Sequence, residues 1–224
     1  MSEFKSFLLD GTGFVELIET FGNDLTVVNA ARVSFAKEST ELNIRDEKLI
    51  QYLAKHNHNS PFFHPQIRLR LKMPIFIARE WFRHTVGFAR NEVSRRYVDD
   101  KPECYIPPAE AMRERDTNKK QGSKETAISD VEIAHQALKN TTANALETYE
   151  LLLKCNVAPE VARIVLPQSM YTEFIETASL AAYARLCKLR LDPHAQKEIR
   201  DYATAIELLL TVYFPISWKA LMAE

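Results

Sequence analysis

Apolar positions along the chain alternate between two periods, and the switches between them mark out short elements. Gly13-Phe-Val-Glu-Leu-Ile18 reads as an early strand, and Gly22-Asn-Asp24 as a turn, with Asp24 the N-cap of a helix over 25–35. Residues 36–45 are polar and loop-like. Leu49, Ile50 and Leu53 then give 46–56 helical spacing, followed by the histidine-rich turn His56-Asn-His-Asn-Ser-Pro61. Gln66-Ile-Arg-Leu-Arg-Leu-Lys-Met73 alternates apolar and basic residues, the mark of a half-buried strand. Pro74 stops that strand and suits the first turn of a helix reaching about His84. Such a helix puts Glu80 with His84, and Arg79 with Arg83, on shared faces. Beyond it the Gly87 segment reads as irregular.

Residues 113–126 have no apolar periodicity and are expected as a mobile loop. Ser129-Asp-Val-Glu132 has the spacing of a capping box and opens a long helix to about Lys154. Pro159 starts a short helix through Val161-Ala-Arg-Ile-Val-Leu166, closed by Pro167. Tyr171 to Thr177 reads as a strand, followed by helices over 180–189 and 194–210. There is no internal repeat, and the content is α/β with helix dominating.

Composition narrows the partners. The 224 residues suit one domain with ample core, and 46% apolar with 26% charged residues is ordinary for a globular protein. A formal net charge of −1 argues against nucleic acid as the main partner. No apolar run approaches the roughly 18–20 residues of a membrane span. Met-Ser-Glu-Phe-Lys at the start has no signal-peptide pattern. Cys104, Cys155 and Cys187 are odd in number and far apart, which suggests neither a disulfide framework nor a zinc site. A reducing, cytoplasmic setting is expected.

The chemistry concentrates between Trp81 and Tyr97. Arg83, Arg90, Arg95 and Arg96 lie close together there, with His84, Asn91, Glu92 and Ser94 between them. Guanidinium forks bind phosphate through paired charge-assisted hydrogen bonds, and the neutral and acidic groups suit ribose hydroxyls and a base edge. Charged runs are usually solvated faces. This one instead follows the apolar Met73-Pro-Ile-Phe-Ile-Ala78 and ends on an aromatic residue, so a nucleotide site is the better reading. Only five glycines occur, with no Gly-x-Gly-x-x-Gly or Walker loop, so side chains must hold the phosphates. His56, His58 and His64 lack a nearby carboxylate or thiol, and no metal is expected. Cys104 reads as structural, and Ser94, outside any Gly-x-Ser-x-Gly context, as a hydrogen-bond donor rather than a nucleophile. Arg163 and Arg190 are cations in apolar company, which suits either a salt bridge or a bound anion.

Several blocks in order give the chain a family likeness. Arg83-His84 with Asn91-Glu92-x-Ser94-x-Arg96-Tyr97 resembles the signature of the flavin-dependent thymidylate synthases. Gly13-Phe-Val-Glu-Leu, Gly22-Asn-Asp-Leu, Ala30-Ala-Arg-Val-Ser34, Val161-Ala-Arg-Ile-Val-Leu-Pro167 and Leu189-Arg190 with His194-Ala-Gln196 extend the likeness over nearly the whole chain. The resemblance implies one domain over 1–224, an α/β (α+β) fold whose small, mostly antiparallel sheet is flanked by long helices. It implies a homotetramer with active sites shared between subunits. It also implies dTMP synthesis from dUMP, with methylenetetrahydrofolate as carbon donor, NADPH as reductant and FAD as cofactor. Carried over, Arg83, His84, Thr85, Arg90, Asn91 and Glu92 would surround the flavin, with Ser34, His58, Ser60, Arg185 and His194. Glu80, Arg83, Glu92, Ser94, Arg95, Arg96 and Arg163 would hold the nucleotide, and Arg190 would lie against the pyrimidine. Arg190 and Ser94 would then carry catalysis, and no enzyme thiol would attack the ring.

The chain departs from that pattern inside the pocket. Thr85 stands where the signature has arginine, and the spacing to Ser94 is one residue longer, with Arg90 a candidate replacement cation. Glu80 replaces a common glutamine and Phe63 a common acid, while Ser179-Leu-Ala181 and Arg185 stand where Asn, Arg and Asn are familiar. These changes keep two alternatives open: C5 methylation or hydroxymethylation of another pyrimidine nucleotide such as dCMP, and a non-catalytic nucleotide- or RNA-binding protein.

Overall fold

The computed structural model describes residues 4–98, 100–117 and 122–223. The first half runs β1 (Lys5–Leu8), β2 (Gly13–Phe21), α1 (Asp24–Arg32), α2 (Ile44–Lys55), β3 (Gln66–Pro74), α3 (Ile75–Trp81) and β4 (Phe88–Glu92). The second half runs β5 (Arg113–Arg115), β6 (Ser123–Ala127), α4 (Val131–Lys154), α5 (Pro159–Ala162), β7 (Tyr171–Ser179), α6 (Leu180–Arg190), α7 (Lys197–Tyr213) and α8 (Pro215–Met222). Five strands form one sheet in the order β1-β2-β3-β7-β4, with every neighbouring pair antiparallel.

The alternation in 66–73 organises this sheet. Ile67, Leu69, Leu71 and Met73 are fully buried on one face. Arg68, Arg70 and Lys72 point to the other face, where they pair with Glu19, Glu173 and Glu103. On β7 the same period turns Phe174, Glu176 and Ala178 inward. The inner face packs against α6, whose Leu180, Ala181, Ala182, Tyr183, Ala184, Leu186 and Cys187 are all buried. Helices α7 and α8 pack on α6 and complete the core. Among the described residues no helix is long and apolar enough to cross a membrane.

Element boundaries shift in instructive ways. The N-cap of α1 is Asn23, whose side chain accepts from Thr26 N at 3.2 Å. Asp24, expected in that role, is buried and caps α8 instead, accepting from the N–H groups of Ile216 at 3.0 Å and Ser217 at 2.9 Å. The helix expected to run to Phe35 tightens into a 3₁₀ turn over Val33–Phe35. Helix α3 ends at Trp81, so His84 lies past the helix rather than on a shared helical face with Glu80. The segment after Gly87, expected to be irregular, is strand β4, paired to β7. Within the stretch expected as a mobile loop over 113–126, Arg113–Arg115 and Ser123–Ala127 pair as antiparallel strands, while 118–121 lie outside the described residues. At α4 the capping box does not form, because Asp130 is the N-cap and makes no side-chain capping bond. Helix α7 starts at Lys197 rather than His194.

Candidate active site

Two cavities gather eight of the expected residues. The first, about 730 Å³, lies where the segment after β4 faces α5 and the 3₁₀ turn Arg163–Val165. Ser94, Arg95, Arg96 and Arg163 line it, with Glu92 and Glu160 and an apolar wall that includes Ile75, Ile164 and Met170. Arg163 is exposed and, among the described residues, makes no side-chain hydrogen bond or ion pair. The salt bridge left open for it is not formed among the described residues. Arg96 donates from Nε to Ser94 Oγ at 3.3 Å and lies 5.0 Å from the Tyr97 ring centroid, with no carboxylate partner among the described residues. Arg95 donates to the Asp100 carbonyl, and Glu92 accepts from Thr172 Oγ1 at 2.6 Å. The cavity thus presents two guanidinium groups that pair with no carboxylate among the described residues, and a hydroxyl, a donor set matched to a phosphate.

The second cavity, about 660 Å³, opens at the C-terminal end of α6 and is lined by Glu80, Lys188, Arg190, Asp192, His194 and Gln196. Arg190 pairs with Glu80 of α3 through Nη1 and donates from Nε to Nε2 of His84 at 2.9 Å. An arginine cannot accept, so His84 Nε2 must. Partial burial, then the Arg190, Arg90 and Arg185 charges, lower the His84 pKa to about 4. The imidazole is therefore neutral at physiological pH. His194 is exposed and its Nδ1 lies 2.9 Å from Asp192 Oδ1.

The turn between α3 and β4 is held from both sides. Arg185 donates from Nη2 to the Val86 carbonyl at 2.8 Å. At Gly87, φ is +82° and a Cβ would sit 3.1 Å from Ala182 Cβ, so glycine serves both the turn and its approach to α6. Arg83 and Thr85 are exposed on this turn. Arg90, expected among the cofactor residues, is instead directed inward: its Nε pairs with the fully buried Glu176, and its Nη1 donates to the His84 carbonyl at 2.5 Å. Asn91 lies with Glu92 along a shallow groove that also includes Glu16 and Arg70.

Ser34, His58 and Ser60 are exposed and line neither cavity. Ser34 sits in the Val33–Phe35 turn and Ser60 in the Ser60–Phe63 turn, while the His58 ring packs near Tyr52 and His56. Among the described residues no cluster of His, Cys, Asp and Glu could hold a metal. Cys104 is partly buried, and that burial raises its thiol pKa, so it is a poor nucleophile. Sequence reading missed Glu176. The signal was there, since the β7 alternation puts it on the same face as Phe174, where a carboxylate needs partners.

Comparison with known proteins places the chain in a family. The family described as Thymidylate synthase complementing protein matches residues 16–216. A flavin-dependent thymidylate synthase of Thermus thermophilus is 43% identical over 208 residues, covering 93% of this chain and 75% of that protein. One from Thermotoga neapolitana is 38% identical over 208 residues, covering 93% and 90%. Among solved structures, a UMP/dUMP methylase, PolB from Streptomyces cacaoi, bound with 5-Br dUMP, superposes with a TM-score of 0.82 at 32% identity, covering 92% of this chain and 93% of that one. The chain belongs to the thymidylate synthase complementing protein family, the enzymes known as flavin-dependent thymidylate synthases.

Proposed function

We propose that residues 1–224 act as one catalytic domain that methylates dUMP at C5 to give dTMP, with FAD as cofactor, methylenetetrahydrofolate as carbon donor and NADPH as reductant. The observation that supports this reading is the convergence of Ser94 and Arg96 with Arg163, which lies far along the chain, on one cavity. In this reading Arg96, Arg163 and Arg95 bind the nucleotide phosphate, and Ser94 orients it by hydrogen bonding. Arg190, held by Glu80 and His84, lies against the pyrimidine, where a fixed cation stabilises negative charge developing on the ring carbonyls. FAD, when bound, supplies the reducing equivalents.

The donor set suits that cofactor. With Arg90 turned inward, Arg83, exposed and without a side-chain partner among the described residues, stands beside the neutral His84 and is suited to a phosphate. Arg185, Asn91, Glu92 and His194 extend the set around the same turn. Ser34, His58 and Ser60 would join it from a neighbouring copy, which is the reason to propose a homotetramer with shared sites. The exposed Ile133 and Leu151 on α4, a 24-residue helix that buries only Thr142 and Tyr149, support such packing. The enzyme is proposed to work in the cytoplasm on small molecules.

A second reading draws support from Glu80. A carboxylate at the Arg190 cavity offers an acceptor, which suits the exocyclic amine of a cytosine nucleotide. Anaerobic NADPH consumption, followed by absorbance, separates the two. The main reading requires turnover that depends on both FAD and dUMP, whereas turnover with dCMP alone supports the second.

A further inference from the structure

Glu176 and Arg90 are the one arrangement at this site that binding alone does not explain. They are direct cross-strand partners in the β4–β7 register. The Glu176 side chain is fully buried, and both of its oxygens face donors: Trp81 Nε1 at 3.3 and 3.2 Å, Tyr183 Oη at 3.0 Å, and Arg90 Nε. Trp81 ends α3 and Tyr183 lies near the start of α6, so one carboxylate joins four elements. Burial pushes its pKa up, opposed first by Arg90 and then by the hydrogen bonds from Tyr183 and Trp81. The Arg90 guanidinium lies over two rings, 5.2 Å from the Phe82 centroid and 4.5 Å from that of Phe88. From there Nη1 reaches the main-chain oxygen of His84.

A buried ion pair is a poor way to gain stability, because desolvating two charges consumes most of the attraction. Apolar side chains of similar size would fill the space as well. What an apolar pair could not do is hold the carbonyl of His84 at a fixed place relative to β7.

We propose that Glu176 and Arg90 are positioning residues, a buried pin that fixes the Arg83–Phe88 turn and so sets His84 for contact with the cofactor and Arg190. The proposal rests on the flavin reading of the site for its consequence, though not for its geometry. Neither residue lines either cavity. Both act through the turn.

The test compares wild type with the double variant R90L/E176L, which removes both charges together and leaves neither unpaired. R90K serves as the conservative control. Hydrogen exchange followed by mass spectrometry reads the turn directly, and FAD titration reads its consequence. In the double variant, amide exchange over 83–88 is expected to rise at least severalfold while α6 keeps its protection. FAD affinity and kcat should fall together, kcat on the order of 100-fold, the usual cost of a catalytic group displaced by about an ångström. R90K, which keeps the charge, should recover part of both. Unchanged exchange over 83–88 in a folded double variant would overturn the pin. Faster exchange with undiminished FAD binding and turnover would overturn its positioning role. A wild-type chain that binds no FAD would refute the flavin reading itself, and the exchange result would still decide the pin.

Discussion

Arg190 donates from Nε to Nε2 of His84 at 2.9 Å, and this bond couples the proposed pyrimidine site to the proposed flavin site. It requires a neutral imidazole protonated on Nδ1. Arg190 is in turn paired with Glu80, so its guanidinium is oriented before any ligand arrives.

Titration of His84 by NMR should therefore give a midpoint near 4, well below the ordinary 6.5. Because the fold holds the ring neutral, the unfolded chain binds more protons between those two values. The contribution of His84 to stability is thus fully present above pH 6.5 and is lost as pH falls toward 4. A His84 midpoint at 6.5 or above would contradict the arrangement.

Arg163 and Arg190 should fail in different ways. Arg163→Ala removes a charge-assisted phosphate contact made equally in ground and transition states. KM for the nucleotide should rise about 10- to 100-fold, for a loss of about 1.5–3 kcal/mol, with kcat little changed. Arg190→Ala removes a cation needed where charge develops, so kcat should fall on the order of 100- to 1000-fold in a folded protein. Steady-state kinetics read both, and an unchanged kcat in Arg190→Ala would remove it from the reaction.

Cys104→Ser should remain active. The thiol is partly buried, and that burial raises its pKa. Complete loss of turnover in a variant that melts like wild type would instead point to a covalent thiol mechanism.

Asp24→Ala should destabilise the fold without touching chemistry. It removes both acceptors at the start of α8, leaving the Ile216 and Ser217 N–H groups unpartnered. The cost should be about 1–2 kcal/mol, lowering Tm by roughly 2–8 °C with KM unchanged.

The sequence made the sheet legible where burial is one-sided. In 66–73 basic residues alternate with apolar ones, and β3 keeps that register. Strand β4 was hidden because Phe-Ala-Arg-Asn-Glu reads as site chemistry, and its pairing with β7 is non-local. Asp24 shows the same limit: its local spacing suggested a cap for α1, whereas its partners lie 192 and 193 residues away. At the site, residue types pointed to the arginine run at 83–96 as a phosphate-binding candidate, and the family resemblance added Ser94 and Arg163. They could not separate Arg163, which has no partner among the described residues, from Arg90, which is committed inward, because that depends on a buried carboxylate 86 residues further along the chain.

The most direct test is mass spectrometry of the nucleotide after anaerobic incubation of the protein with FAD, NADPH, methylenetetrahydrofolate and dUMP, with dCMP in a parallel reaction. The account predicts that dUMP gains a methyl group at C5, with its carbon traceable to isotopically labelled folate, while dCMP is returned unchanged. Unmodified dUMP from protein with flavin bound, or a product formed only from dCMP, would contradict it.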